Sequence, residues 1–424
     1  MINLPYGRIS LKINIPDHDV IVIEQNKKST GNGPADVDSF EKSLKHPLIK
    51  DSISNLSLAK KNVAIAINDK TRPLPYELFL EKFLQEIKEI YGCPKKIEFY
   101  VATGTHKPLT IPEINEMLPG NITKSYNILN HDCDDGGELF FLGNTSQNTP
   151  VYVNKKFYEA DVKIALGCIA PHHFMGFSGG AKTCAIGLAG RNTIEKNHAM
   201  LLHPNAKMGL FKSNPMRMDV EEIAKLMKID LAFNIIQDDN KKILHYLFGE
   251  PDQVMLAGVQ YFYDHSQPID EKHINKYDLV IASCGGYPKD INLYQAQKAI
   301  THASFFAKPQ GIIILVADCV QGYGSDGFVD FLKKFDHAEE LINQFERMQF
   351  KLGPHKAYQL AKQAIQNKII LVSNIKDQDY LGYLVTFEKN IHNAIQNALH
   401  LLPQKPKIAV LPFATSLIPY KMDL

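Results

Sequence analysis

KNVAIAINDKTRPLPYELFLEKFLQEIKEIYG, Lys61 to Gly92, holds in one stretch the pattern that decides the fold. KNVAIAI is a short apolar run and reads as a buried strand ending at Ile67. NDKTRPLP breaks it, and Pro73 and Pro75 stiffen the exit. YELFLEKFLQEIKEIYG then continues as an amphipathic helix. The order recurs. KKIEFYVATGT reads as a strand, followed by HKPLT and a helix from about Pro112. VKIALG, residues 162–167, is another short strand. Further on, LVIASCGG, NLYQAQKAITHASFF and GIIILVADC repeat strand, helix and strand, and NKIILVSNI and KIAVLP carry the theme to the end. Strands alternating with helices predict an α/β fold with mostly parallel sheets.

With 424 residues the chain is long enough for two cores. Two α/β domains are expected, with an active-site cleft between them. The first, 1–268, carries the catalytic loops. The second, 269–424, follows a helical region near 219–229 and opens on a polar, helix-like DEKHINKYD stretch, and its last strand has the option of returning to the first domain. The opening GRISLKINIP and DVIVIEQN alternate, as short strands of a lid or antiparallel edge do. Residues 26–60 are polar and include the GNGPADVD loop before a short helical stretch.

Composition narrows the function. A net charge of +1 gives no electrostatic case for nucleic acid. No run of eighteen apolar residues exists, so no membrane span is expected. MINLPYGRISLKINIP lacks the pattern of a signal peptide. The six cysteines form no CxxC pair and sit mostly in apolar surroundings, which fits reduced thiols and a cytoplasmic protein.

Three loops follow three strands: NDKTRP after Ile67, GTHKP after Thr103 and CIAPHHFMGFSGGAK after Leu166. In open parallel sheets ligands bind beyond the carboxyl ends of the strands, so these loops point to one site. GFSGGAKT looks like a phosphate loop, but Ala181 rather than glycine precedes Lys182, and the glycine spacing is wrong. An anion nest, a covalently linked Lys182 and an ordinary surface lysine all remain open. His106 and His172, from different strand ends, suit proton transfer on opposite sides of a substrate, or else support their loops. His172 and His173 are adjacent, so at most one is expected to face the site. His198 and His203 make no HExxH, and no Cys/His cluster suggests zinc. Asp69 and Arg72 flank a turn, either as an ion pair or as an anion fork with an orienting carboxylate. Tyr294 and Lys298, four apart, share a helix face with Gln295 nearby, and reach an acidic ligand or simply face solvent.

NDKTRPLP, TGTHKP, PHHFMGFSGGAK, the histidine of EKNHAM and GGYPKDINLYQAQKAI, in this order, resemble the nickel-dependent lactate racemase family, which includes racemases and epimerases of other 2-hydroxy acids. The resemblance implies a nickel-pincer nucleotide (nickel pyridinium-3,5-bisthiocarboxylic acid mononucleotide) joined to Lys182 through a thioamide. It implies His198 as the protein's metal ligand, completing a set of two cofactor sulfurs and a ring carbon. His106 and His172 become the catalytic acid/base pair. Asp69, Arg72, Tyr294, Gln295 and Lys298 line the site, with Arg72 and Lys298 as candidates for the substrate carboxylate. His173 falls to a loop or pocket role.

The implied reaction moves the substrate's α hydride to the cofactor while one histidine takes the hydroxyl proton. A flat 2-keto acid results, and the hydride returns to either face. The implied partners are a small 2-hydroxy acid and the proteins that make the cofactor and insert nickel. Lactate racemase has a tryptophan near its substrate, and this chain has none. A larger or more polar 2-hydroxy acid is therefore within the expectation. The competing readings are a 2-hydroxyacid dehydrogenase with a diffusible nicotinamide cofactor, which the missing GxGxxG weighs against, and a non-catalytic nucleotide- or metal-binding protein.

Overall fold

A computed structural model describes residues 1–16, 18–25, 37–49, 56–72, 74–238, 241–265, 269–376 and 381–418. Most of the GNGPADVD loop, Pro73 and the expected boundary at residue 268 lie outside them. The chain divides into two compact units: Lys27–Ser266, and Met1–Asn26 together with Gln267–Lys421. The 1–268 grouping thus differs from the structure at its beginning. The strand Val20–Val22 pairs in parallel with Ile408–Leu411, so the opening segment joins the C-terminal sheet. Ile408–Leu411 pairs in turn with Tyr277–Ser283, and the last strand stays in that unit. Ile9–Ile13, within GRISLKINIP, is a strand and pairs antiparallel with Ile2–Tyr6, which the sequence reading did not pick out.

The sheet of the Lys27–Ser266 unit runs Ile243–Gly249, Leu231–Gln237, Val162–Cys168, Asn62–Asn68, Lys96–Ala102, Asn127–Asn130. All its neighbours are parallel except the first two. The two faces of its central strands differ in side-chain size, and that difference positions the site. Val63, Ile65 and Ile67 point to a large core with Phe79, Phe83, Phe99 and Phe233, where the Phe83 and Phe233 rings lie 4.7 Å apart. The Tyr76–Tyr91 helix closes this face through Tyr76, Phe79, Leu80, Phe83, Leu84 and Ile87, the spacing of one helical stripe. On the opposite face stand Ala64, Ala66, Ala165 and Gly167. A Cβ on Gly167 would lie 3.2 Å from Thr183 Oγ1. Small residues there let the short Lys182–Ala185 helix settle against the strands Val162–Cys168 and Asn62–Asn68.

The second sheet is parallel throughout: Val385–Glu388, Lys368–Val372, Ala307–Val316, Tyr277–Ser283, Ile408–Leu411, Val20–Val22. Its strand order reverses at Tyr277–Ser283, a topological switch point. The helix-like DEKHINKYD stretch forms only a 3-10 turn, Glu271–His273, with Asp270 capping Lys272 N. Among the described residues no helix is long and apolar enough to cross a membrane. All six cysteines are free thiols, four of them buried.

Candidate active site

The three predicted loops leave three adjacent parallel strands, Val162–Cys168, Asn62–Asn68 and Lys96–Ala102. At the end of Asn62–Asn68, the buried Tyr76 hydroxyl accepts the Asn68 amide at 3.0 Å and fixes where the strand stops. Asp69 follows, 4% exposed. Its Oδ1 accepts from Thr71 Oγ1 at 2.7 Å and Thr71 N at 3.2 Å, while Oδ2 lies 2.6 Å from His106 Nδ1. Burial raises the Asp69 pKa, but hydrogen bonds and charge from His106, Arg72 and Thr71 outweigh it and hold the carboxyl below its usual range. An ionised carboxylate only accepts, so His106 Nδ1 carries the proton and Nε2 keeps its lone pair when the ring is neutral. The carboxylate's partner is therefore His106 rather than an Arg72 turn bridge. Arg72 is exposed, and its amide closes the turn onto Asp69 O at 3.1 Å.

His106 itself is 39% exposed at its side chain. Its loop is pinned by Thr103 Oγ1, which donates to His131 O at 2.6 Å, and by Gly104 N, which donates to Gly187 O at 2.9 Å. Gly104 holds φ +55°, a left-handed conformation that glycine takes without strain.

The third loop folds back as a two-residue pair, Pro171–His172 against Gly176–Phe177. Strand alternation ends at His172, so the two neighbouring side chains are not held on opposite sides of a strand. The His172 and His173 rings stack 4.7 Å apart at 29°. Phe174 meets His172 and His173 edge-on at 4.6 and 4.0 Å and reaches His198 at 5.7 Å, joining three imidazoles through one phenyl ring. Met175 N donates to His172 Nδ1 at 3.2 Å, which leaves the proton of the neutral ring on Nε2.

Lys182 is 5% exposed and starts the Lys182–Ala185 helix, which removes the surface-lysine reading. The next residue, Thr183, links two strand ends: its Oγ1 lies 3.0 Å from Leu166 O and 3.3 Å from Asn68 Oδ1. The glycines before Lys182 serve close packing. At Gly180, φ +62°, a Cβ would stand 2.3 Å from Met255 Cγ and 2.9 Å from Arg217 Nη2. Buried Arg217 donates through Nη1 to Gly179 O at 3.1 Å, and Asn234 Oδ1 accepts Gly180 N at 3.0 Å. The amides of Phe177, Ser178, Gly180 and Lys182 all donate within the protein, so they make no anion nest. Asn234, which sequence reasoning passed over, keeps its buried Nδ2 without a hydrogen-bond partner under this loop.

His198 lies on the Arg191–Ala199 helix. Its Nδ1 donates to Ile194 O at 2.9 Å, so Nε2 offers a lone pair with its orientation fixed. His203 is exposed, and its Nδ1 accepts Asn205 N at 3.0 Å within a turn.

In the other unit the expected single helix is divided into Leu293–Ala296 and Lys298–Ser304. Lys298 Nζ donates to Gln295 Oε1 at 2.6 Å. The Tyr294 ring packs edge-on against Phe328 at 5.9 Å and His355 at 6.1 Å, so it also serves the core. Lys356, beside His355 in GPHKAYQLA, is buried, and sequence reasoning missed it. The available signal was helical spacing, which sets residue 356 on the same face as buried Leu360.

The profile of the lactate racemase N-terminal domain matches residues 6–209, and that of the lactate racemase C-terminal domain matches 272–418. The lactate racemase of Thermoanaerobacterium thermosaccharolyticum is 28% identical over 424 residues, covering 98% of both chains. That of Lactiplantibacillus plantarum is 29% identical over 418 residues, covering 97% of both. The solved lactate racemase apoprotein from T. thermosaccharolyticum superposes with a TM-score of 0.88 at 28% identity, over 98% of this chain and 99% of that one. A Thermotoga maritima structural-genomics protein shares the fold at TM-score 0.68 and 14% identity, over 92% and 99% of the two chains.

Proposed function

The chain belongs to the lactate racemase family, and on that premise we propose that it is an isomerase that interconverts the stereoisomers of a 2-hydroxy acid. One observation carries the reading: buried Lys182 opens a helix whose Thr183 ties together two of the three strand ends, while Asp69 orients His106 at the third.

The donor set suits a nickel-pincer nucleotide. Lys182 offers one amine, shielded from water, for a covalent link. His198 offers one imidazole Nε2, enough for a metal whose other donors belong to the cofactor. The orphaned Asn234 Nδ2 beneath the glycine loop is a donor suited to a polar group of such a ligand. The bound cofactor supplies a hydride acceptor.

The protein's own part is to hold and move protons. His106 Nε2 takes the hydroxyl proton of one enantiomer, and Asp69 stabilises the imidazolium that forms. His172 acts on the opposite enantiomer. At rest it presents an Nε2–H, a hydrogen-bond donor to the substrate oxygen, and it becomes a base once its 3.2 Å bond from Met175 N gives way. Arg72 and Lys298 are the candidates for the substrate carboxylate, since burial of that charge favours a cation as partner. Loading the chain requires partner proteins that make the cofactor and insert nickel.

The test is chiral chromatography of single enantiomers of lactate and other 2-hydroxy acids, incubated with chain produced alongside those partner proteins. The opposite enantiomer should accumulate without net NADH. Retention of configuration across the panel would defeat the reading.

A further inference from the structure

The Pro215–Met227 helix begins with buried polar side chains: Asn214 and Asp219 are 0% exposed and Arg217 is 1% exposed. Capping explains part of this. Asn214 Oδ1 accepts Met216 N at 3.1 Å and Arg217 N at 3.3 Å, as an N-cap does. Further bonds reach segments of the site. Asn214 Nδ2 donates to Phe174 O at 2.9 Å, in the loop of His172 and His173. Arg217 Nη1 donates to Gly179 O at 3.1 Å and Phe177 O at 3.5 Å, in the loop that leads to Lys182. Glu221, one turn on, accepts Arg217 Nε at 2.7 Å and steadies the guanidinium. Asp219 accepts from Thr145 Oγ1 at 2.5 Å, Thr149 Oγ1 at 3.1 Å and Asn197 Nδ2 at 2.9 Å, and Asn197 precedes His198.

Residues two apart on a helix lie about 200° apart around its axis, so Arg217 and Asp219 leave it on opposite flanks. The helix packs against Lys182–Ala185 and against Arg191–Ala199. The Arg191–Ala199 helix has a separate tether near its start, where Thr193 Oγ1 donates to Pro150 O at 2.6 Å and accepts Tyr152 N at 2.9 Å. Its last turn, which carries His198, is tied through Asn197 to Asp219 and to Met216 O at 3.0 Å. Apolar side chains would fill these positions without the cost of desolvating a guanidinium and a carboxylate. What the polar groups add is direction, since each bond fixes one segment relative to the helix. A ligand joined to Lys182 and coordinated by His198 meets the chain at two points, so its seating depends on their separation.

We propose that Arg217 and Asp219 are positioning residues that together set the separation of the Lys182 amine and the His198 imidazole, Arg217 by holding the glycine loop and Asp219 by holding Asn197. This deepens the racemase reading and rests on it for the ligand. The two roles are separable. Arg217 governs how fast Lys182 is joined to the cofactor, and Asp219 governs how firmly His198 keeps the metal. Neither residue takes part in proton transfer.

The test uses the full-length chain incubated with the cofactor-making proteins. Adduct mass is followed against time, and nickel is followed during dialysis against EDTA. Arg217→Met should slow adduct formation by about 10²-fold, the cost of a misplaced reacting group, and release nickel at the wild-type rate once loaded. Arg217→Lys should recover part of the loading rate. Asp219→Asn should form the adduct near the wild-type rate but release nickel about 10–100-fold faster, as loss of support behind a metal-bound histidine does. A purely structural role would lower the melting temperature of both variants and separate neither rate from the other. Folded variants that match wild type in both rates, or that change both alike, overturn the proposal. Should Asp219→Asn fail to fold, Thr149→Val removes one donor to the same carboxylate and should show the same selective nickel loss to a smaller degree. Should Arg217→Met fail to fold, Arg217→Lys must still load more slowly than wild type. Wild type that takes no adduct sinks the cofactor reading and this proposal with it, whereas loaded wild type beside indistinguishable variants sinks this proposal alone.

Discussion

The two sheets each have six strands, and each carries ionisable groups on the loops and helices that follow its strands, but the groups differ in kind. Around the Lys27–Ser266 sheet they are imidazoles whose protons are assigned by a neighbour: Asp69 for His106, Met175 N for His172, Ile194 O for His198. Around the C-terminal sheet they are ammoniums, Lys289, Lys298 and Lys356, with an amide, Gln295, beside one of them. Groups with fixed protons suit chemistry, and flexible point charges suit holding an anion. Under the proposed function the contrast predicts a division of labour, in which the first set governs turnover and the second governs binding of the acid.

Substitutions test that division. His106→Ala should leave covalent loading intact and lower kcat by about 10²–10⁴-fold, as loss of a general base does. Loss confined to KM would break the comparison. Lys298→Met should do the reverse, raising KM by about 10–100-fold, the worth of a charged hydrogen bond, with a smaller change in kcat. Steady-state kinetics on loaded enzyme reads both.

Asp69→Asn should cost about 10–100-fold in kcat, because an amide no longer dictates which His106 nitrogen holds the proton. It also carries a pH signature. Folded Asp69 titrates below its ordinary value of 3.8, so its stabilising contribution is complete above that value and is lost as pH falls through the folded one. Melting curves across acid pH should show this slope in the wild type and a shallower one in Asp69→Asn. The smallest effect is expected from Gly180→Ala, where the left-handed backbone and the Met255 and Arg217 contacts predict a loss of about 1–3 kcal/mol in stability by denaturant titration.

The elements that present the site were largely legible in the chain. Asn62–Asn68, Lys96–Ala102 and Val162–Cys168 are apolar runs closed by turn residues, and such runs announce buried parallel strands. What escaped depends on contacts distant in sequence. Val20–Val22, read from its alternation as a lid or antiparallel edge strand, is parallel, and only its pairing with Ile408–Leu411 shows that and assigns it to the C-terminal unit. Local composition around Lys182 suggests an exposed loop. Its burial follows from the small residues Ala165 and Gly167 under the helix and from Arg217 and Asn234 gripping the glycines. The stacking of His172 on His173 escaped because a two-residue strand is too short to impose alternation.

The most direct test of the account is intact-mass and nickel analysis, with peptide mapping, of wild type and Lys182→Ala produced alongside the cofactor-making proteins. The account predicts a nickel-containing adduct on Lys182 in the racemising wild type and no adduct in a folded Lys182→Ala. Racemising wild-type protein with no adduct, or an adduct mapped to another residue, would contradict it.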